Sequence, residues 1–435
     1  MEIRRDTGSR DYWHGNSNDN GFSDELNAIL SANNPHSNAR FNRRRKIFAE
    51  QDYSKIVDAL LLNLYPKYCK NPKCKDHKVQ LTLPVKNRPY SIRCPKCKTY
   101  NRSRFNKTPL HQFKLPYWMF GWALVESLER YPAVLTGAEI QRRLGISKPA
   151  AQMLKRRLQI LASDQRPKIE KLVHKELSDK YKGVMFTRGK DVDLTDEINA
   201  LGGSIPQVDT LALFSLSARA NGGRKRFRHN GQTSSIYMSD RLGGHQKGTL
   251  VHTFALCKKG PVLLDSIPNL QANTVMPLLN KYLPKDTPLF SDEGYKWYYR
   301  LNKNHRMINH SARSKDKRYR WSRERWSKGG VNIQVAEGLQ GAIKTSFRAY
   351  RYFKPEYSQL YLNEYSFWRN IKYYGWGRLF EMADGAGVGE AEIVGVDLHG
   401  KPEEQRHAEH DGAKAGMRIN ASLYLANSCP VCTQA

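Results

Sequence analysis

The chain has 435 residues, of which 39% are hydrophobic and 26% charged, so it contains enough apolar side chains for a folded core and is not wholly disordered. Lys and Arg together number 72 and Asp and Glu 41, which gives a formal net charge of +31. A surface this basic indicates a polyanionic partner, most often nucleic acid; a ribosomal, membrane-surface or polyphosphate-binding role is the alternative. No run approaches the roughly 18 apolar residues of a membrane span, and the N-terminus lacks an apolar signal region. We therefore expect a cytoplasmic, nucleoid-associated protein without membrane contact.

The first 112 residues consist of a leader and a region that contains cysteines. Residues 1–40 are rich in Asn, Ser and Asp and show no hydrophobic period, which predicts a mobile leader. Residues 41–112 begin with the basic run 43–46, and apolar residues at helical spacing follow up to Leu64. We therefore place the first folded region at 41–112.

Four cysteines in this region have the spacing of a zinc site. The pairs Cys69-x4-Cys74 and Cys94-x2-Cys97 are separated by 19 residues that alternate in polarity and contain a turn, as in a zinc ribbon. Close pairs in a cytosolic chain indicate metal rather than disulfides. The predicted ligands of a structural Zn²⁺ are Cys69, Cys74, Cys94 and Cys97, since four protein ligands leave no open position for chemistry. Replacement of Cys74 by His77 as a ligand, or four buried cysteines without metal, are the alternatives.

Residues 113–165 have the layout of a helix-turn-helix. Thr136 can cap a first helix, and Gly145 allows a left-handed turn after it. Ser147 can cap a second helix, whose inward apolar positions include Leu154. A helix with a polar, basic outer face fits the major groove of DNA. The residues predicted to contact DNA are Lys148, Gln152, Lys155, Arg156 and Arg157. An ordinary basic helical hairpin is the alternative interpretation.

After a charged connector at 166–204, the sequence changes to short β-type runs. The runs are TLALFSLS, SSIYMS, TLVHTFAL, PVLLDSI and TPLFSD. A helical pattern at 272–283 lies between the last two runs. This order predicts a mixed sheet with helices in a domain at 205–372, followed by a tail at 373–435. The whole chain is thus expected to be a multidomain protein of the α+β and α/β classes.

Acidic residues follow the apolar runs in a pattern that suits divalent cations. Asp240 and Asp292 each end a strand pattern, and Glu337 lies on a helical pattern at 330–347 with Lys344 two turns further along the same face. The predicted core stripe of this helix is Val335, Leu339, Ile343 and Phe347. Mg²⁺ and Mn²⁺ prefer carboxylate oxygens, and two such ions about 4 Å apart catalyse phosphoryl transfer. We therefore predict that Asp240, Asp292 and Glu337 bind catalytic Mg²⁺ or Mn²⁺, although a single Asp at a strand end is usually a turn former.

Three segments of the chain resemble one known family. They are SDEGYKWYYRL at 291–301, INHSARSKD at 308–316 and AEGLQGAIKTSFRAYRYFKPEYSQLYLNEYSFWRN at 336–370. The chain resembles the DDE transposases of bacterial insertion sequences, specifically the ISXO-type branch with an N-terminal zinc ribbon, over about residues 65–372. The resemblance implies an RNase H-like catalytic fold, with Asp292 as second acid, Glu337 as third acid and Lys344 as an assisting base near the DNA.

The chain departs from this family in the helix that carries Glu337. The family has a bulky aromatic residue soon after the Glu, where this chain has Gly338-Leu339-Gln340. The family also has an Asn three residues before the Glu, where this chain has Gln334.

The first acid of the triad has two candidates. Asp209, in PQVDTL, resembles the Val-Asp-Glu of the family, but Pro206 lies three residues before it and is awkward in a central strand. Asp240 ends an apolar run, and a Gly-rich turn leads straight to the next run, as the first two strands of an RNase H-like sheet connect. We prefer Asp240, with Asp209 as the alternative, and interpret Asp265 as a surface turn acid.

Basic and aromatic side chains crowd residues 295–328. Such a mixture can bind phosphate and stack on unpaired bases at a cleaved end. The arginines predicted to contact DNA here are Arg318, Arg320 and Arg325. A solvated insertion whose aromatic residues cover the sheet is the alternative.

These features together predict a transposase that binds double-stranded DNA, hydrolyses the 3′ ends of its element and joins them to target DNA by two-metal phosphoryl transfer. Because transposases generally act on paired ends, we expect a homo-oligomer. The alternatives are a domesticated, non-catalytic DNA-binding protein of the same fold and a basic scaffold or RNA-binding protein. A further pair, Cys429 and Cys432, cannot complete a zinc site alone.

Overall fold

The computed structural model describes residues 50–74, 79–85, 88–101, 104–189, 192–214, 248–308, 327–351 and 357–384. These residues form two compact units. The first unit holds the described residues up to Tyr131, Leu135–Asp164 and the described residues from Ile371 onwards. The second holds Pro132–Val134 and Gln165–Asn370.

The first unit combines helices with a small antiparallel sheet. Its helices are α1 (Glu50–Leu64), α2 (Trp118–Arg130), α3 (Gly137–Leu144) and the first part of α4 (Lys148–Lys180). Its sheet has the order β1 (Leu83–Val85), β2 (Arg88–Arg93), β3 (Tyr100–Asn101). Helices α1 and α2 approach closely because Gly121 has no side chain, and a Cβ there would collide with the carbonyl oxygen of Tyr53.

Local signals determine the turn between α3 and α4, as the sequence predicted. The side chains of Thr136 and Ser147 each accept a hydrogen bond from the backbone N–H three residues later, at 3.3 and 3.4 Å. Gly145 adopts a left-handed conformation with φ of 64°. Helix α4 then continues to Lys180, so the segment 166–204, which we expected to be a connector, begins as a helix.

The second unit is built on a five-stranded mixed sheet with the order β6-β5-β4-β7-β8. Its strands are β4 (Gln207–Phe214), β5 (Gly248–Ala255), β6 (Val262–Ile267), β7 (Leu289–Asp292) and β8 (His305–Ile308). Strands β4, β5 and β6 are antiparallel, whereas β4, β7 and β8 are parallel. The remaining elements are α5 (Thr195–Ala200), α6 (Ala272–Tyr282), the strand pair β9 (Ser327–Lys328) and β10 (Val331–Asn332), α7 (Gln334–Phe347) and α8 (Ser358–Asp384), which continues into the first unit. This mixture of helices around a mixed sheet fits the RNase H-like domain that the sequence predicted.

Four of the five β-type runs are strands, and the helix predicted at 272–283 is α6. The fifth run, SSIYMS, lies outside the described residues. Pro206 immediately precedes β4 instead of interrupting it, and its carbonyl accepts a hydrogen bond from the N–H of Phe290 in β7 at 2.9 Å. Among the helices of the described residues, none has the length and apolar character required to cross a membrane.

A buried ion pair joins the second part of α4 to the edge of the sheet. Arg166 donates hydrogen bonds to the carboxylate of Asp265, to the carbonyl of Leu264 and to the amide oxygen of Asn363 in α8. Tyr282 of α6 donates to the other oxygen of Asp265 at 2.8 Å. Asp265 is fully buried, so its interpretation as a surface turn acid was wrong. A buried carboxylate needs a cationic partner, and here that partner comes from a helix distant in the sequence.

Candidate functional site

Two acids lie side by side on neighbouring parallel strands of the mixed sheet. Val208 of β4 pairs with Ser291 of β7, and the next residues in the same register are Asp209 and Asp292. Asp292 ends β7, and its Oδ1 accepts the N–H of Gly294 at 2.9 Å in the turn that follows. A Cβ on Gly294 would lie 2.9 Å from that same oxygen, so a larger residue there would displace the carboxylate of Asp292. The strand pairing thus brings together two carboxylates that are 83 residues apart in the sequence.

Helix α7 brings the third acid, Glu337, to the same site. Glu337 is half-buried, and one turn later the Nε2 of Gln340 donates a hydrogen bond to Asp209 Oδ2 at 2.7 Å. Burial raises the pKa of Asp209 to about 7; the N–H of Thr210 and the amide of Gln340 oppose this, whereas the charges of Asp292 and Glu337 add to it. The charges of Asp292 and Glu337 thus both act on the carboxyl group of Asp209.

A buried tyrosine lies near the two strand acids. Tyr295 is buried, and its hydroxyl forms a 2.8 Å hydrogen bond with the Oγ1 of Thr210. Burial raises the pKa of Tyr295 well above its ordinary value; the hydrogen bond with Thr210 opposes this, and the charges of Asp209 and Asp292 add to it. Tyr295 is therefore a neutral hydroxyl beside the carboxylates and does not compete for a cation as an anion.

The structure describes only one of the two candidates for the first acid. Asp240 lies outside the described residues. Asp209 lies next to Asp292, and Pro206, which counted against it, precedes the strand. Of the two candidates, Asp209 is the one within the described residues, and it lies near Asp292 and Glu337.

The buried face of α7 differs from the predicted stripe. Its fully buried side chains are Ala336, Gln340, Ile343 and Phe347. Val335 and Leu339, which we predicted as core, are only half-buried, whereas Ile343 and Phe347 are buried as expected. Relative to the predicted stripe, α7 is rotated about its axis. Gln207 of β4 accepts hydrogen bonds from N–H groups in the first turn of α7, and Gln340 faces Asp209. Lys344 is exposed.

Sequence reasoning missed two glutamines at this site. Gln207 lies two residues before Asp209, hence on the same face of β4, and Gln340 lies three residues after Glu337, hence on the adjoining face of α7. Periodicity around the predicted acids would have placed both near the site. Their chemical role was not readable, because glutamine is also a common surface residue.

The donor set of the acid site fits Mg²⁺ or Mn²⁺. Asp209, Asp292 and Glu337 offer hard carboxylate oxygens, and burial raises the pKa of Asp209, with the charges of Asp292 and Glu337 adding to the rise. Their oxygens do not converge as tightly as the ligand atoms of the cysteine cluster, the one such group among the described residues.

The four cysteines of the first unit gather at one point. Their sulfur atoms lie within 4.8 Å of one another, with Cys69 and Cys97 at 3.5 Å. Three of the thiols are buried and Cys97 is half-buried. Four convergent thiols could hold a tetrahedral metal ion, and zinc matches this ligand set. His77, the alternative ligand, lies outside the described residues.

The thiols of this cluster differ in acidity. Hydrogen bonds from the side chain and backbone of Thr99 lower the pKa of Cys97 to about 6. The pKa of Cys69 rises to about 12: a backbone hydrogen bond at Asn71 favours its thiolate, but burial and the neighbouring thiols outweigh it. Without a cation the cluster therefore favours one thiolate over several, and a bound metal ion would allow all four to lose their protons.

The residues predicted to contact DNA are only partly on the surface. Lys148 and Gln152 of α4 are exposed and Arg156 is half-buried. Lys155 and Arg157 are buried, each with 3% of its surface exposed, so their predicted exposure was wrong. The central part of α4 is buried on almost all sides, which a single apolar stripe does not predict. Three further predicted contacts lie outside the described residues: Arg318, Arg320 and Arg325.

A comparison with protein families gives one match. Residues 219–370 match the ISXO2-like transposase domain, a segment of about a third of the chain that contains Asp292 and Glu337. The match begins ten residues after Asp209 and includes Asp240, so it does not decide between them. No curated protein and no solved structure matches the chain. The match supports a DDE transposase of the ISXO type, with an ISXO2-like transposase domain at residues 219–370.

Proposed function

We propose that this transposase hydrolyses the 3′ ends of its element and joins them to target DNA at a site formed by Asp209, Asp292 and Glu337. The observation that carries the proposal is the contact of Gln340 with Asp209, one helical turn from Glu337, on a strand paired with the strand of Asp292. It supports a single acidic site assembled from β4, β7 and α7. With Asp209 as the first acid, the proposal uses the alternative candidate in place of Asp240.

The three acids would hold two Mg²⁺ or Mn²⁺ ions. Such ions, when bound, activate the attacking hydroxyl or water and stabilise the leaving oxygen of the phosphodiester. The protein contributes fixed carboxylates: Asp209 is held by the N–H of Thr210 at 2.7 Å and by Gln340, and Asp292 by the N–H of Gly294. Carboxylates that are oriented before DNA binds need little rearrangement during the reaction.

Lys344 and the surface of α4 would orient the DNA. Lys344 is exposed two turns beyond Glu337 on α7, where an ammonium group can contact a phosphate beside the acids. Lys148 and Gln152 are exposed near the start of α4, after the turn at Gly145, and are the remaining candidates for groove contacts on the described part of that helix. Because transposases act on paired DNA ends, the working form would be a homo-oligomer.

The four cysteines would hold a structural Zn²⁺. All four sulfur atoms lie within 4.8 Å of one another, and four protein ligands would leave no coordination position for a substrate. The ion would stabilise the small sheet β1–β3, which has few residues to bury.

Cleavage of end-labelled duplexes that carry the DNA flanking the gene tests the proposal. We expect Mg²⁺-dependent nicking by the wild-type protein and a loss of at least about a thousandfold in Asp292→Asn and Glu337→Gln, because each removes a cation ligand. The matched control is Glu293→Gln, which makes the same change at an exposed acid next to Asp292 and should leave the rate unchanged.

Two outcomes would contradict the proposal. Absence of nicking on the true ends by the wild-type protein would favour a domesticated DNA-binding protein. Full activity in Asp292→Asn would exclude this site. A parallel comparison of Asp209→Asn with Asp240→Asn identifies the first acid. If only Asp209→Asn loses nicking activity, Asp209 is supported as the first acid. If only Asp240→Asn loses it, Asp240 is the first acid.

A further inference from the structure

We propose that Gln207 and Gln340 are positioning residues that set the distance between Asp209 and Glu337, an inference that rests on the function proposed above. Both side chains are buried, with 4% and 7% of their surface exposed, although glutamine is mostly found on protein surfaces. Each joins β4 to α7 through hydrogen bonds. They are thus buried polar groups that connect the two elements carrying Asp209 and Glu337.

Gln340 holds the carboxylate of Asp209 from the helix side. Its Nε2 donates to Asp209 Oδ2 at 2.7 Å, while Thr210 N–H donates to Oδ1 at 2.7 Å. Thr253 of β5 is within 3.5 Å of the same Nε2 and donates its hydroxyl to the backbone carbonyl of Asp209 at 2.8 Å. The carboxylate therefore has one donor on each oxygen, which fixes its plane.

An amide is chemically suited to this role. Each carboxylate oxygen accepts about two hydrogen bonds or cation contacts, so one donor per oxygen leaves a lone pair for a cation. The amide of Gln340 is neutral and leaves the negative charge of Asp209 in place. A Lys or Arg at this position would neutralise the charge and compete with the metal ion.

Gln207 fixes the start of the helix that carries Glu337. Its Oε1 accepts hydrogen bonds from the N–H groups of Val335 and Ala336 at 2.9 and 3.2 Å. N–H groups in the first turn of a helix have no acceptor within the helix itself. Its Nε2 contacts the side-chain oxygen of Asn332 at 3.3 Å. Gln207 thus replaces an ordinary cap, and it does so from the strand of Asp209. The two glutamines bracket Glu337, one at the beginning of α7 and the other one turn after the acid.

The test measures Mn²⁺ binding to the full-length protein without DNA, by electron paramagnetic resonance, in wild type and Gln340→Met. Methionine has nearly the size of glutamine but cannot donate to Asp209. We expect an affinity about tenfold weaker or more, as is typical when a partner of a metal ligand is removed. In DNA cleavage we expect a lower kcat with an unchanged KM for DNA. The matched control is Gln334→Met, the same substitution at an exposed position of α7.

A second variant and a second measurement keep the result interpretable. Thermal unfolding is recorded for each variant. If Gln340→Met does not fold, Gln340→Asn is used, because it keeps a polar amide one methylene too short to reach Asp209. Gln207→Met should also weaken Mn²⁺ binding, through the loss of the contacts that anchor the first turn of α7.

The outcomes separate this inference from the proposed function. If Asp292→Asn and Glu337→Gln weaken Mn²⁺ binding while Gln340→Met and Gln207→Met bind like wild type, the positioning role is overturned and the active site stands. If neither acid variant changes Mn²⁺ binding, the proposed function itself fails. Equal loss of affinity in Gln334→Met would indicate a general effect on α7 and would also overturn the positioning role.

Discussion

The carboxyl group of Asp209 is in an environment that opposes its charge. Burial raises its pKa to about 7; the hydrogen bonds from Thr210 and Gln340 limit this rise, and the charges of Asp292 and Glu337 increase it. A proton or a bound cation would relieve these unfavourable electrostatics. Without either, the ionised Asp209 destabilises the fold.

Asp209→Asn should therefore stabilise the metal-free protein at high pH. In the unfolded chain an Asp has a pKa near 3.9, so between about pH 4 and pH 7 the folded state holds a proton that the unfolded state releases. The free energy of unfolding of the wild type falls as pH rises through this window. Urea unfolding without Mg²⁺ should show Asp209→Asn more stable by about 1–3 kcal/mol at pH 8 and nearly equal to wild type at pH 4.5. An equal gain in the free energy of unfolding at both pH values would contradict this account. Glu293→Gln is the control and should not change the free energy of unfolding.

Single residues also mark the limit of what the sequence could predict about the site. Asp292 and Glu337 were predicted because each follows a local apolar pattern that can be read within a dozen residues. Asp209 was ranked second because Pro206 was interpreted as part of the strand, whereas β4 begins one residue later, at Gln207. The hydrogen bond of Gln340 with Asp209 could not be predicted, since the two residues are 131 positions apart in the sequence.

At the scale of elements, local signals set where the helices begin and end, whereas contacts with residues distant in the sequence set which face of a helix is buried. The caps at Thr136 and Ser147 and the left-handed Gly145 lie where the sequence predicted, because each acts within one turn. The burial of Lys155 and Arg157 on α4 was not predicted, because long basic side chains can be covered by any neighbour that the fold supplies. The orientation of α7 likewise depends on its contacts with β4, and the hydrophobic periodicity of a helix gives no information about such contacts.

The buried pair of Arg166 and Asp265 gives a prediction at this scale, since it connects α4, β6, α6 and α8. Arg166→Met removes the positive charge beside a carboxylate with no exposed surface, so we expect a loss of about 3–5 kcal/mol in the free energy of unfolding. Lys281→Met is the matched control: Lys281 pairs with Glu170 but is half exposed, and its removal should cost less than about 1 kcal/mol. Equal effects of the two variants in urea unfolding would show that Asp265 does not depend on Arg166.

At the scale of the whole molecule, the cysteine cluster and the acid site belong to different compact units. The sheet β1–β3 has strands of three, six and two residues and is too small to supply a hydrophobic core of its own, so a metal ion held by the cysteines would stabilise it. Asp209 and Asp292 lie on the five-stranded sheet and Glu337 on α7, in a unit with a buried apolar core. Disruption of the two candidate metal sites should therefore affect the protein differently.

Cys94→Ser should abolish binding of one Zn²⁺ per chain, as measured by elemental analysis, because three thiols no longer close a tetrahedron. The region around the cluster should become sensitive to proteases between residues 65 and 112, since metal binding supplies folding energy there. Mn²⁺ binding at the acids should remain as in wild type. Cys257→Ser, at a cysteine outside the cluster, should keep both the zinc and the protease resistance. If Cys94→Ser retained its zinc, the four thiols would be buried cysteines without a metal; if it lost Mn²⁺ binding as well, the two units would not be independent in stability.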